Sequence, residues 1–317
     1  MSDLRAPAST ADMIRIPGGT FRMGSDRHYP EEKPVHSVTV DGFWIDPTPV
    51  TNAQFRAFVA ATGYVTWAEI DPDPRDYPGA RPEMLKAGGL VFTPPSRPVD
   101  LADWGQWWRF TFGANWRRPY GKGSHIGRLD DHPVVQVAFR DAEAYARWAG
   151  KELPTEAEFE FAARGGLDGA EFAWGDELTP HGKHMANTWQ GNFPAENTRA
   201  DGFARTSPVR TYPPNGYGVF DMIGNVWEWT TDWYSTRHEA DAAKACCVPE
   251  NPRGGAVEQS YDPNDRVRIP RKVLKGGSHL CAPSYCKRYR PAARHAEQVD
   301  TTTSHVGFRC VVRQPAA

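Results

Sequence analysis

Two cysteines, Cys281 and Cys286, stand five positions apart in Gly276-Gly277-Ser278-His279-Leu280-Cys281-Ala282-Pro283-Ser284-Tyr285-Cys286-Lys287-Arg288-Tyr289-Arg290. Thiolates are nucleophiles and soft metal ligands, and Lys287, Arg288 and Arg290 favour that charged form. On a helix, five residues turn the chain by about 500° and part the two side chains. On a strand, an odd offset sends them to opposite faces. The thiols meet only if the chain turns between them. Ala282-Pro283-Ser284 offers such a turn, because proline presets φ at the first central position of a β-turn. Thiols brought together in this way form a disulfide or share a soft ion. Two are too few for structural zinc and suit Cu(I). From the residues alone a disulfide, a metal pair and two inert thiols all remain open.

Oxygen-bearing side chains gather between 187 and 228. Asn187 and Asp201 flank a loop with Trp189, Gly191 and Gly202, and Asp221-Met222-Ile223-Gly224-Asn225-Val226-Trp227-Glu228 sets two carboxylates around a turn. Calcium takes six to eight such oxygens, many of them loop carbonyls. Asn and Asp also make turns through purely local hydrogen bonds, and spacing does not separate the two readings. Cys310, in Gly307-Phe308-Arg309-Cys310-Val311-Val312, is expected as a buried free thiol in a final core strand. Cys246 and Cys247 are adjacent, which disfavours a disulfide between them, and carry no assigned role. No H-E-x-x-H, phosphate loop or dinucleotide fingerprint is present.

These loops need elements to hold them. Met13 to Met23 alternates apolar and polar residues about Pro17-Gly18-Gly19, which predicts a hairpin. Ser37–Val40 reads as a strand. Thr51 and Gln54 form a capping-box signature for a helix that carries Phe55, Phe58 and Val59 inward and stops near Gly63. Residues 71 to 131 begin proline-rich and continue through Trp104, Trp107, Trp108 and Trp116, an irregular stretch packed against something. His132–Phe139 reads as a buried strand, with Asp141 capping a short helix closed by Gly150. Thr155 and Glu158 open another helix, ended by Gly165-Gly166. Beyond it short strands alternate with Gly, Pro, Asn and Asp, and 236 to 268 forms a polar excursion. The pattern is α+β, with few helices and much irregular backbone. Residues 1–12 are expected as a tail and 13–314 as a single domain.

The chain has 317 residues, 39% of them apolar, with 28 Pro, 29 Gly and 12 Trp. The turn formers exceed average usage, and tryptophans supply bulky anchors where regular elements are scarce. With 37 basic and 39 acidic residues, a net charge of −2, no global field draws in nucleic acid or an anionic membrane. The first residues lack the apolar run of a signal peptide, and no segment is long and apolar enough to span a bilayer, so a cytoplasmic location is expected. An odd count of five cysteines reads poorly as a secreted disulfide framework.

A set of landmarks resembles the formylglycine-generating enzymes (the sulfatase-modifying family) of prokaryotic type. They run from Ile16-Pro17-Gly18-Gly19-Thr20-Phe21-Arg22-Met23-Gly24 through Leu153-Pro154-Thr155-Glu156-Ala157-Glu158, Asn215-Gly216-Tyr217-Gly218 and Gly224-Asn225-Val226-Trp227-Glu228-Trp229 to Gly307-Phe308-Arg309-Cys310. The wider superfamily also holds sulfoxide synthases and lectin-like binders. The segment with both cysteines resembles the active-site stretch of the true oxidases, and nothing here resembles the three-histidine helical domain of the synthases. The resemblance implies a C-type-lectin-related fold.

It further implies a copper-dependent oxidase in which Cys281 and Cys286 bind Cu(I). The substrate would be an unfolded sulfatase polypeptide, whose Cys-x-(Pro/Ala)-x-Arg cysteine becomes Cα-formylglycine with O2 and a thiol reductant. Ser278 and Tyr285 would line the site, and His305 stands where several relatives have Asn. One Ca2+ site would use Asn187, Asp201 and the carbonyls of Thr188 and Phe203. A second would use Asp221, Glu228 and the carbonyls of Gly224 and Val226. Ala146, Ala163 and Pro291 replace disulfide cysteines of secreted vertebrate members. The alternatives are a same-fold oxidase acting on another thiol or a small molecule, and a non-catalytic lectin-like binding module.

Overall fold

The computed structural model describes residues 9–238, 248–265 and 267–313; Cys246 and Cys247 lie outside them. In chain order the elements are β1 (Ile14–Ile16), β2 (Gly19–Met23), β3 (His36–Val40), β4 (Phe43–Ile45) and α1 (Asn52–Thr62), then β5 (Gly88–Phe92), β6 (Trp108–Phe112), α2 (Phe139–Trp148) and α3 (Glu156–Arg164). They continue with β7 (Trp227–Trp233), β8 (Arg271–Lys275), β9 (Arg294–Gln298), β10 (Val306–Gly307) and β11 (Val311–Arg313). Short 3-10 turns and irregular loops make up most of the rest, as the turn-rich composition implies.

Two sheets close the chain. β4 lies between β1 and β11, pairing Ile45 with both Ile14 and Val311, so the two ends of the described chain meet. The second sheet has the order β10-β7-β8-β9 and carries the thiol loop at the end of β8. The expected hairpin across Pro17-Gly18-Gly19 does not form. β1 pairs with β4, and β2 pairs with β3 from Gly19↔Val40 to Met23↔His36. Gly18, at φ 76°, lies so close to the β3–β4 connection that a Cβ would stand 2.5 Å from the Gly42 nitrogen. This turn hands the chain from one sheet to the next instead of folding it back on itself.

α1 and α3 follow from their caps. In α1, Gln54 Oε1 accepts from Thr51 N at 2.9 Å and Thr51 Oγ1 from Gln54 N at 3.3 Å, and Gly63 ends the helix in the left-handed region. α3 opens with the same box at Thr155 and Glu158 and closes at Gly165. Its nine residues are all buried, charged ones included. Ion pairs make that possible. Glu160 receives Arg164 at 2.7 Å and Lys275 at 2.9 Å, and Glu156 receives Arg294 at 2.8 Å.

Asp141 caps α2 from inside the helix rather than before it. It is the third helical residue, and its carboxylate accepts from Ala138 N at 2.9 Å, Trp67 N at 3.1 Å and Tyr64 Oη at 3.0 Å. His132–Phe139 is buried but is no strand. Its ladder contact is one bridge, Thr51↔Pro133, and Gln136 sits at φ 60° with its amide on the Leu90 and Pro119 carbonyls. The irregular tract contains a hairpin that the sequence hid. β5 and β6 pair from Gly88↔Phe112 to Phe92↔Trp108, and the long connection between them lacks a tight-turn signature.

The main core gathers Phe55, Phe58, Trp116, Tyr145, Trp229 and Phe308, and it includes Cys281, Tyr289 and Cys310. Cys310 is a buried free thiol, between β10 and β11 rather than within a strand. A smaller cluster of Trp107, Trp189, Phe193, Leu280 and Ala282 lies beneath the thiol loop.

Candidate active site

Two glycines release the thiol loop from β8. Gly276 and Gly277 take φ 90° and 73°, where side chains strain the backbone. A Cβ on Gly277 would stand 2.7 Å from the Arg288 carbonyl oxygen, so the loop returns onto its own start. Cys281 N donates to Ser278 O at 2.9 Å, and Tyr285 N and Cys286 N both donate to Ala282 O, at 3.1 and 2.9 Å. The turn at Ala282-Pro283-Ser284 therefore forms, and it sets Cys281 Sγ 3.3 Å from Cys286 Sγ. A disulfide spans about 2.05 Å, so these are two free thiols in contact. Cys281 is buried and Cys286 half-buried, so the pair opens on the Cys286 side.

The two sulfurs differ electrically. A hydrogen bond from Cys281 holds Cys286 well below the usual thiol range. Burial opposes that shift and the Arg288 guanidinium, 3.8 Å from the sulfur, assists it. Burial, and the bond it donates, push Cys281 up. The pair thus favours the charged form on Cys286 and the neutral form on Cys281. Arg288 is itself fixed from the N-terminal segment. Glu31 accepts from its Nη2 at 2.7 Å, and the Tyr29 ring lies 3.8 Å beneath its guanidinium carbon. Tyr29 Oη also accepts from Lys287 N at 3.0 Å, and Arg290 forks onto buried Glu32.

Ser278 is buried beside the pair, its N–H 3.5 Å from Cys281 Sγ and its hydroxyl oxygen accepting from Leu280 N. Tyr285 is 40% exposed and stacks on Phe193 at 4.6 Å, with Trp107 edge-on at 5.6 Å. His305 is more remote. Its Nδ1 is 2.6 Å from Thr303 Oγ1, its ring leans on Trp108 at 4.8 Å, and burial holds it neutral. It reaches the thiol loop through Trp108, Phe92 and Phe193 rather than by direct hydrogen bond. Cavities flank the loop: one of about 390 Å³ lined by Tyr120, Trp189, His279 and Ser304, and one of about 310 Å³ lined by Trp174, Pro283 and Ser284.

The oxygen-bearing residues between 187 and 228 lie in two groups. Thr188 O, Thr188 Oγ1 and Asp201 Oδ2 converge on one donor, the Gln190 amide, at 2.5, 3.2 and 3.0 Å, and Phe203 N donates to Asp201 Oδ1 at 3.0 Å. Asn187 turns its amide nitrogen to Arg205 O at 2.8 Å. In the second set both Glu228 oxygens accept from Arg309 at 2.8 Å, while Asp221 Oδ2 accepts from Arg210 N at 2.8 Å. Glu228 there is buried and spent on Arg309, while half-buried Asp221 offers its backbone carbonyl to the same guanidinium at 2.9 Å. Among the described residues no three His, Cys, Asp or Glu side chains converge as a metal site. Any ion would rely on the thiol pair, or on one or two carboxylates together with carbonyl and amide oxygens.

Residues 2–314 match the family model described as a sulfatase-modifying factor enzyme 1-like domain. The chain belongs to this family. It is 55% identical to the formylglycine-generating enzyme of Mycobacterium tuberculosis over 301 residues, covering 95% of this chain and 97% of that protein. It is 47% identical to the formylglycine-generating enzyme of Streptomyces coelicolor, covering 96% and 90%. The solved structure of PvdO from Pseudomonas aeruginosa shares the fold, with a TM-score of 0.62 at 22% identity over 98% of this chain and all of that one. The α+β fold poor in regular structure is thus shared with that solved structure. No helix among the described residues is long and apolar enough to cross a membrane.

Sequence reasoning missed Tyr29, Glu31, Trp107 and Phe193 as neighbours of the thiols. No local signal marks them, since each comes from a distant segment. The charge of Arg288 was legible, but what aims it was not.

Proposed function

We propose that this protein converts a cysteine of an unfolded sulfatase segment, Cys-x-(Pro/Ala)-x-Arg, to Cα-formylglycine. The balanced reaction takes the substrate –CH2SH, one O2 and two thiols of an external reductant to –CHO, H2S, one water and the reductant's disulfide. The Cβ carbon is oxidised and O2 takes four electrons, two from the substrate and two from the reductant. The observation that carries the reading is the contact of two free thiols at 3.3 Å on an opened turn, in a chain whose relatives carry that enzyme name. The cytosol, where thiols stay reduced, is the compartment we assign.

The donor set fits Cu(I): two sulfurs, one already favoured as thiolate, with an open side. Bound there, copper would supply a soft, redox-active centre for thiol oxidation. The chain's own residues do the rest. Arg288 stabilises negative charge on Cys286, and the Ser278 N–H does so on Cys281. Tyr285, rigid against Phe193 and partly exposed, offers a flat wall to an entering peptide. The buried aromatic floor excludes water from the reacting sulfur. His305 remains neutral at the far end of that floor and orders Thr303.

We assign structural Ca2+ to both oxygen sets. In the first, the oxygens that converge on the Gln190 amide suit a hard cation. In the second, the support is weaker: the oxygen-bearing Asp221 and Glu228 lie on either side of Arg309, with Glu228 already paired to it.

The test is a peptide with a central Cys-x-Pro-x-Arg, incubated with Cu(I), O2 and a thiol reductant. Aldehyde formation that vanishes in Cys281→Ser and in Cys286→Ser supports the reading. Turnover that survives both changes, or that needs no copper, sinks it. For calcium, elemental analysis after dialysis should find about two ions per chain, and chelator should lower the melting temperature.

A further inference from the structure

β6 presents an apolar face that, beyond Trp108, is left uncovered by the described residues. Trp108, Phe110 and Phe112 alternate along the strand and so point to the same side of it. Trp108 is half-buried, while Phe110 and Phe112 are 45% and 49% exposed and touch each other at 5.7 Å. Two exposed phenylalanines in contact on a strand are not scattered surface apolarity. The strand is also an edge. β5 pairs with β6 on one side and takes Thr302–Ser304 on the other, through Leu90 N to Thr302 O at 2.8 Å and Ser304 N to Leu90 O at 3.0 Å. Among the described residues nothing pairs with the outer side of β6. Its free N–H and C=O groups are a template for one more extended segment.

The face runs on into the thiol site. Trp108 meets Phe92 at 5.8 Å, Phe92 meets Phe193 at 5.8 Å, and Phe193 stacks on Tyr285 at 4.6 Å, next to Cys286. We propose that β6 is a docking surface for the substrate polypeptide beyond its reacting motif, with an extended, apolar stretch of the unfolded chain pairing along the edge over Phe110 and Phe112. An unfolded chain offers the partners this face lacks, an unpaired backbone for its edge and apolar side chains for its exposed rings. The inference rests on the proposed function and adds to it that recognition extends past the motif.

Two peptides test it: a short one limited to the motif, and a long one with apolar, strand-forming flanks. Both are assayed with wild type and with the Phe110→Asp/Phe112→Asp variant, whose changes are at exposed positions. The expected result is a KM for the long peptide raised about tenfold or more in the variant, with kcat and all short-peptide constants unchanged. Equal effects on both peptides, or no effect on either, overturn the proposal. A labelled long peptide with Ser in place of its cysteine, followed by fluorescence anisotropy, separates this idea from the catalytic one. Binding that the variant loses upholds the surface even without turnover, and binding indifferent to the variant rejects it. A wild-type dimer that the variant dissolves, seen by sedimentation, would assign the face to a second copy instead.

Discussion

Glu31 and Arg288 stand 257 positions apart in the chain and 2.7 Å apart in the fold, and their ion pair holds a guanidinium 3.8 Å from Cys286 Sγ. In metal-free, reduced protein, iodoacetamide should therefore modify Cys286 with a rate that rises around pH 6, far below an ordinary thiol. The larger cause is the bond from Cys281, so Cys281→Ala should move the midpoint up further than Arg288→Gln, which removes the guanidinium and should raise it by about one unit. A midpoint near 8 or 9 in wild type would show that neither neighbour acts on the sulfur.

The left-handed Gly277 predicts a separate effect. Gly277→Ala places a Cβ 2.7 Å from the Arg288 carbonyl at φ 73°, a backbone cost of about 1–3 kcal/mol. The loop relieves it by opening, so Cys281 and Cys286 should no longer cross-link under mild diamide, while the far-ultraviolet circular dichroism keeps its shape. Unchanged cross-linking would show that the glycine is dispensable.

Glu160 balances two buried cations, Lys275 and Arg164, and accepts from Gly24 N at 2.9 Å. Glu160→Ala leaves both uncompensated and should cost about 3–5 kcal/mol in urea denaturation. Lys275 and the other charges around Glu160 outweigh its burial and hold it at about 2. A depressed carboxyl contributes stability above its unfolded pKa, near 4.5, and loses it as pH falls towards 2. Wild type should lose stability in that acid window, and the difference from Glu160→Ala should shrink there.

Asp141 has the opposite sign. Burial raises it to about 6, against three donors and Arg140. A raised carboxyl contributes stability that is complete below its unfolded pKa, near 3.8, and lost as pH climbs through 6. The penalty of Asp141→Asn should therefore be larger at pH 4 than at pH 7.5, by up to about 3 kcal/mol. A penalty that is flat, or that grows with pH, would count against it.

By itself the sequence determined what is local. Caps at Thr51 and Thr155 and stops at Gly63 and Gly165 announced α1 and α3, because helix ends are satisfied by residues within four positions. Pro283 announced the turn that joins two thiols five apart, and the paired cysteines with the surrounding landmarks announced the family. Only the tertiary structure decided what depends on distant partners. Ile14 and Ile16 alternate equally well for a hairpin with β2 or a ladder with β4, and the packing of Gly18 against Gly42 chose the ladder. His132–Phe139 is apolar enough for a strand, but Gln136 is spent on the Leu90 and Pro119 carbonyls, which bends it into a buried connector. At the site, sequence supplied the sulfurs and a nearby arginine. The fold alone brought Glu31 and Tyr29 to aim that arginine, and Phe193 to brace Tyr285, because contacts across some 90 or 250 positions leave no period in a chain for a reader to find.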